Sequence, residues 1–171
     1  MELHQGAVDG EARALERLVR NHYPSVYRLA YKWCGVQQDA EDITQEVFMR
    51  MVRNLDTFNR AASMKTWLYR ITLNAARDFH RKRANRRKNE SAFALEEECG
   101  NPVPCPGAQI EAKRIFQAID RLPEKQKSAV LLVFGEGLSH KEAARVLECS
   151  ESTISWRVFM ARKRLKKLLD E

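Results

Sequence analysis

Apolar side chains recur at helical spacing along most of the chain, and the places where that spacing lapses divide it into elements. Leu15, Leu18, Val19, Tyr23, Val26, Leu29, Ala30 and Trp33 form one i, i+3/i+4 stripe that begins near Glu11 and closes at Gly35. Pro24 lies inside it and has no N–H to donate, so the pattern predicts two helical pieces with the proline in the first turn of the second. Ala40, Ile43, Val47, Met51 and Leu55 make the next buried stripe. Met64, Trp67, Leu68, Ile71, Ala75 and Phe79 open a third, which runs without Gly or Pro to Lys88. One continuous helix of that span is about 37 Å long at about 1.5 Å per residue.

The pattern then stops. NESAFALEEECGNPVPCPGAQ holds three of the five prolines and the Glu96-Glu97-Glu98 run, the composition of a linker. Periodicity returns at Ile110, Ile115, Ala118, Ile119 and Leu122, pauses at Pro123, and resumes through Ala129, Val130, Leu132 and Val133 to Gly135 and Gly137. Ser139 followed by Glu142 is a capping-box pair, so a short helix starts at Ser139 and ends near Leu147. Ser150 offers a second N-cap for ESTISWRVFMARKRLKKLL. Helix, three-residue turn and longer basic helix is the layout of a helix-turn-helix. Ala144 suits close helix packing there, and Ile154 and Val158 hold the second helix on the first. The expected fold is all-α, with two small helical domains joined by a flexible linker: 1–88, then 89–109 as linker, then 110–171.

Charge sharpens this picture. The chain of 171 residues carries a net +7 and has a pI near 9.4, which makes nucleic acid the first candidate partner. The cations concentrate where helices end: Arg77, Arg81, Lys82, Arg83, Arg86, Arg87 and Lys88 on the third helix, and Arg162, Lys163, Arg164, Lys166 and Lys167 on the last. Such runs suit phosphates. The exception is DAEDITQEVF, where Asp39, Asp42 and Glu46 crowd the start of the second helix beside Glu41. A helix dipole accounts for one or two such carboxylates at about 0.3 to 1 kcal/mol each, so the surplus points to a protein partner with a basic face. The polar loop Thr57 to Ser63, at the foot of the cationic helix, is placed to receive an extruded base.

Other chemistry is weakly represented. Cys34, Cys99, Cys105 and Cys149 form no CxxC pair, and His4, His22, His80 and His140 are dispersed, so no metal, cofactor or catalytic constellation is expected. Cys99 and Cys105 are close enough in sequence for a regulatory disulfide. No apolar run approaches the roughly 20 residues of a membrane span, and the N-terminus lacks a secretory pattern, which predicts a cytoplasmic protein without membrane insertion.

DAEDITQEVF from Asp39, KTWLYRITLNAARDFHRKR from Lys65 and LSHKEAARVLECSESTISWRVFMAR from Leu138, in this order, resemble the extracytoplasmic-function (ECF) sigma factors, minimal initiation subunits of bacterial RNA polymerase. The resemblance covers about Tyr23 to Leu168. It implies a non-enzymatic alternative sigma factor that binds core RNA polymerase, recognises promoter DNA and is controlled by an anti-sigma factor, which could hold it at the inner membrane face. By resemblance, Asp39, Asp42, Gln45, Glu46 and Arg50 meet the clamp helices of the largest subunit, and the second module meets the flap of the second-largest subunit. Asn59, Arg60, Ser63, Lys65, Arg70, Asn74, Arg77 and Arg81 would form the surface that recognises and opens the minus-ten element. Phe58 and Tyr69 are the aromatics available there for base stacking. Ser152, Thr153, Ser155, Trp156, Arg157 and Arg162 would read the minus-thirty-five element. Glu148 departs from the usual turn glycine, and Trp156 stands where a small polar residue is common. The alternative is a helix-turn-helix regulator whose first module dimerises or senses a signal.

Overall fold

The computed structural model describes residues 2–58, 62–89 and 108–170, with side chains described for 12–56, 58, 62–85 and 114–170. Seven α-helices carry the described chain: α1 (Glu2–Cys34), α2 (Gln37–Arg53), α3 (Met64–Asn89), α4 (Ala108–Asp120), α5 (Glu124–Val130), α6 (His140–Leu147) and α7 (Glu151–Asp170). A short 3-10 turn, Leu55–Thr57, follows α2, and α5 runs on into a π-helical turn, Leu131–Gly135. The linker expected over 89–109 falls mainly outside the described residues, as do Asn59, Arg60, Cys99 and Cys105.

Helices α1, α2 and α3 pack as one bundle. Val26, Leu29 and Ala30 of α1, Ala40, Ile43, Val47 and Met51 of α2, and Leu68 and Leu73 of α3 are all buried. Two expectations fail in α1: it begins at Glu2 rather than near Glu11, and Pro24 does not divide it. Proline forfeits one i→i−4 bond, but Val26, Leu29 and Ala30 just beyond it are buried and hold the helix in place, and the Ser25 hydroxyl donates to the His22 carbonyl at 2.9 Å. Gly35 does end the helix, at φ +71°, with its N–H on the Tyr31 carbonyl at 2.8 Å.

The α3 helix is continuous, as its sequence predicts, yet its buried face is rotated from the expected stripe. Met64, Trp67, Ile71 and Phe79 are only half-buried, whereas Tyr69, Thr72, Leu73 and Ala76 are almost wholly enclosed. The reason is that α3 is covered on two sides, by α1 and α2 and by α6 of the second module. Leu55 is also corrected: it lies in the 3-10 turn and is 36% exposed.

In the second module α7 packs on α4, α5 and α6. The capping box of α6 is formed, with the Glu142 N–H on Ser139 Oγ at 3.2 Å and the Ser139 N–H on the Glu142 carboxylate at 2.8 Å. Ala144, Ile154 and Val158 are buried between the two helices of the helix-turn-helix. Glu148 caps α6 in the left-handed region, φ 49° and ψ 48°, a conformation that costs a residue with a Cβ about 1 to 2 kcal/mol. A single hydrophobic cluster extends from Val26, Leu29 and Leu73 of the first module to Ala129, Leu132 and Ala143 of the second.

Candidate functional site

The acidic helix sorts its carboxylates. Asp39 is ion-paired to Arg83 of α3, and Glu46 accepts from Arg50 at 2.6 Å while Arg50 reaches Asp78 of α3 at 3.3 Å. These residues tie α2 to α3, and none of them caps the helix: Val36 occupies the N-cap without a side-chain bond. Asp42 and Gln45 are exposed. They share a helical face with Met49 and Val52, which are 48% and 49% exposed. Those two apolar residues were missed from sequence because they read as ordinary positions beside the buried stripe; their signal was the i, i+3, i+7, i+10 spacing from Asp42.

Along α3, Ser63 accepts the Thr66 N–H at 3.1 Å, so it starts the helix, and Lys65 is exposed with its ammonium 5.5 Å from the Tyr69 ring. Asn74 and Arg81 are also exposed, Arg81 lying 3.2 Å from Asp78. Arg70 and Arg77 are placed differently from the expectation that they stand free on the surface. Arg70 lies 2.6 Å from the Glu148 carboxylate and donates to the Arg145 carbonyl at 3.0 Å. Arg77 lies 2.8 Å from Glu124 and donates to Ser128 Oγ at 2.9 Å and to Asn74 Oδ1 at 3.1 Å. Both guanidiniums thus sit between the modules. Tyr69 is 1% exposed, which withdraws it as a base-stacking aromatic. Phe58 packs against Trp67 with ring centres 5.0 Å apart.

A second set of contacts crosses between the modules at Glu136. The π turn carries the Glu136 N–H to the Leu131 carbonyl at 2.9 Å, an i→i+5 bond that swings the side chain toward α1 and α3. Its carboxylate, with no solvent exposure, receives Arg28 at 2.9 Å, Lys32 at 3.0 Å and the Tyr69 hydroxyl at 2.8 Å. Burial alone would raise its pKa, but these three donors more than reverse that and hold it below the ordinary value of 4.5. The same environment pushes the Tyr69 phenol well above its ordinary range, through burial first and then the facing carboxylate. Nearby, Trp33 is flanked by the Lys127 ammonium at 4.7 Å and the Arg77 guanidinium at 6.0 Å from its ring centre.

On α7, Ser152, Ser155, Trp156 and Arg162 are exposed, and Trp156 at 59% is outside the core. Ser152 and Thr153 share hydrogen bonds with Ser150 at 2.9 and 2.7 Å, Ser155 meets His140 at 2.8 Å, and Arg157 reaches Cys149 at 3.6 Å. These polar side chains order the start of the helix and leave its outward face polar around one tryptophan. Farther along, Arg162 lies 4.8 Å from the Phe134 ring centre. Phe134 and Phe159 are 52% and 64% exposed, an apolar pair that periodicity alone did not separate from the core.

Comparison with known proteins agrees with this architecture. Sigma-70 region 2 matches residues 18–86, and Sigma-70, region 4 matches residues 112–165. The chain is 34% identical over 169 residues to the ECF RNA polymerase sigma factor SigM of Mycobacterium tuberculosis, covering 98% of this chain and 83% of that protein. It is 30% identical over 171 residues to the RNA polymerase sigma-H factor of Pseudomonas aeruginosa, covering 94% and 88%. Its structure is similar to that of CnrH in complex with the cytosolic domain of CnrY, with a TM-score of 0.70 at 27% identity and coverage of 97% and 94%. The sigma factor RpoE bound to the anti-sigma factor NepR from Bartonella quintana shares the fold, with a TM-score of 0.74 at 24% identity, over 92% of this chain and 98% of that one.

Two such regions on one all-α chain define a transcription initiation factor. The chain belongs to the ECF sigma factors.

Proposed function

We propose that this ECF sigma factor docks on the clamp helices of core RNA polymerase through the face of α2 formed by Asp42, Gln45, Met49 and Val52. Asp39, Glu46 and Arg50 hold that face in position. The observation that carries this reading is the division of the acids, with Asp42 free on the surface while Asp39 and Glu46 are engaged with α3 and its neighbours. An exposed acid beside exposed apolar groups suits a partner that offers both cations and apolar surface.

Residues 1–88 then bind and open the minus-ten element, 110–171 bind the minus-thirty-five element, and 89–109 join them. Asn59, Arg60, Ser63, Lys65, Arg70, Asn74, Arg77 and Arg81 meet the first element. Ser152, Thr153, Ser155, Trp156, Arg157 and Arg162 meet the second at the N-terminal half of α7, where recognition helices reach base edges. The exposed Phe134 and Phe159 suit the flap of the second-largest subunit. Opening costs about 1.4 kcal/mol per base step, more than a small basic protein supplies over several steps, so core polymerase shares that work. An anti-sigma factor controls the protein in the cytoplasm, a reading supported by the CnrH relative solved with the cytosolic domain of CnrY.

Placing cations on the α2 face separates this from a helix-turn-helix regulator. Asp42→Lys with Gln45→Lys should abolish capture of core polymerase while duplex DNA binding persists. Retention of core polymerase at wild-type levels would contradict the docking face.

A further inference from the structure

Each ion pair described between the modules joins a cation of the first to a carboxylate of the second. Glu148 and the Arg145 carbonyl hold Arg70, Glu124 and Ser128 hold Arg77, and Glu136 holds Arg28 and Lys32 together with the Tyr69 hydroxyl. Arg70 and Arg77 belong to the proposed minus-ten surface, so two carboxylates of the second module occupy guanidiniums that would otherwise meet phosphates.

We propose that the second module inhibits the first in cis: Glu124 and Glu148 mask the DNA-facing arginines as phosphate surrogates, and Glu136, seated in a socket of Arg28, Lys32 and Tyr69, is the latch that keeps the two modules closed. This rests on the functional reading above only for what the masked surface binds.

Three local features are otherwise unaccounted for and serve this latch. The π turn before Glu136 is what aims its side chain at α1 and α3. Gly135 leaves room for Lys32, whose Cδ would lie 3.3 Å from an added Cβ, and its carbonyl also accepts from the Lys32 ammonium. Glu148 keeps a left-handed backbone that glycine would adopt without strain, and its carboxylate is the one that reaches Arg70. The buried Arg70 Nε finds no acceptor in the closed arrangement, so a phosphate that satisfied it would favour opening.

The test compares the full-length wild-type chain with Glu136→Gln, Arg28→Gln and, as a charge control remote from the latch, Glu16→Gln. Small-angle scattering reads closure, and affinity for a random-sequence single-stranded 20-mer reads exposure of the masked arginines. Circular dichroism verifies that each variant folds. Glu136→Gln and Arg28→Gln should both enlarge the radius of gyration and both tighten DNA binding, by about tenfold where the closed state leaves a tenth of the molecules competent. The two substitutions change net charge in opposite directions, so a simple charge effect would weaken binding by Arg28→Gln. That result, or scattering and affinity unchanged in both variants, overturns the latch. Arg28 lies at the surface, 53% exposed, so its substitution stays informative if Glu136→Gln fails to fold. Promoter-dependent transcription by the wild type with core polymerase is scored separately: activity with unchanged scattering in both variants refutes the latch alone, and a latch that opens in a chain without such activity refutes the functional reading alone.

Discussion

Tyr69 of α3 donates its hydroxyl to the Glu136 carboxylate at 2.8 Å, joining the first module to the helix-turn-helix module through a side chain with no exposure to water. Neither residue reads in the sequence as part of an inter-module contact. Tyr69 reads as an aromatic within TWLYRI available for base stacking, and Glu136 as one acid between two turn glycines.

That pair makes closure dependent on pH. The pKa of Arg28 is raised by its hydrogen bond to Glu136, and that of Tyr69 by burial and the facing carboxylate, so Glu136 is the group of the three that titrates in acid. Its pKa in the closed state lies below 4.5. Its contribution is therefore complete above 4.5 and is lost as pH falls through the lowered value. Sedimentation velocity should show the wild type slowing as pH falls below 4.5, while Glu136→Gln, already open, shows no such step.

The Glu148 backbone can be tested by a double-mutant cycle. Glu148→Gly relieves about 1 kcal/mol of left-handed strain but removes a half-exposed pair with Arg70 that is worth about 0 to 1 kcal/mol. In the wild-type background the two effects nearly cancel. With Arg70→Ala, urea denaturation should find Glu148→Gly stabilising by about 1 kcal/mol.

Ser139→Ala removes one half of the α6 capping box. It should cost about 1 kcal/mol in thermal or urea denaturation and weaken duplex binding by loosening the helix that supports α7. Ile154→Ala, at a fully buried position, should cost about 2 to 5 kcal/mol.

Cys34 donates to the Val36 carbonyl at 3.3 Å, and burial pushes its thiol up to about 11 from 9.0. With so little thiolate, its alkylation by iodoacetamide at neutral pH should run about 100-fold slower than that of a free thiol, and unfolding in urea should restore the ordinary rate. Peptide mapping after a timed pulse reads both.

The sequence carried the helices and the turn chemistry well. Local rules sufficed for the Ser139 capping box, the close of α1 at Gly35, the unbroken α3 and the burial of Ala144, Ile154 and Val158. What escaped was set by contacts between distant segments. Pro24 stays inside α1 because the residues beyond it, Val26, Leu29 and Ala30, are buried in the bundle with α2 and α3, and α3 buries Tyr69 and Leu73 because a second module covers another face. The same cause took Arg70 and Arg77 from the surface: helical period fixes which residues share a face, not which face a partner module will cover. Met49 and Val52 escaped for the opposite reason, as apolar residues left uncovered.

Every role proposed for these surfaces depends on the chain directing core RNA polymerase to promoters. Transcription with purified core enzyme and fragments of the native genome, with start sites mapped, tests it most directly. Starts that depend on the chain, share two upstream elements and disappear with Asp42→Lys together with Gln45→Lys are the predicted result. No start site dependent on the chain, or undiminished initiation by that variant, would contradict the account.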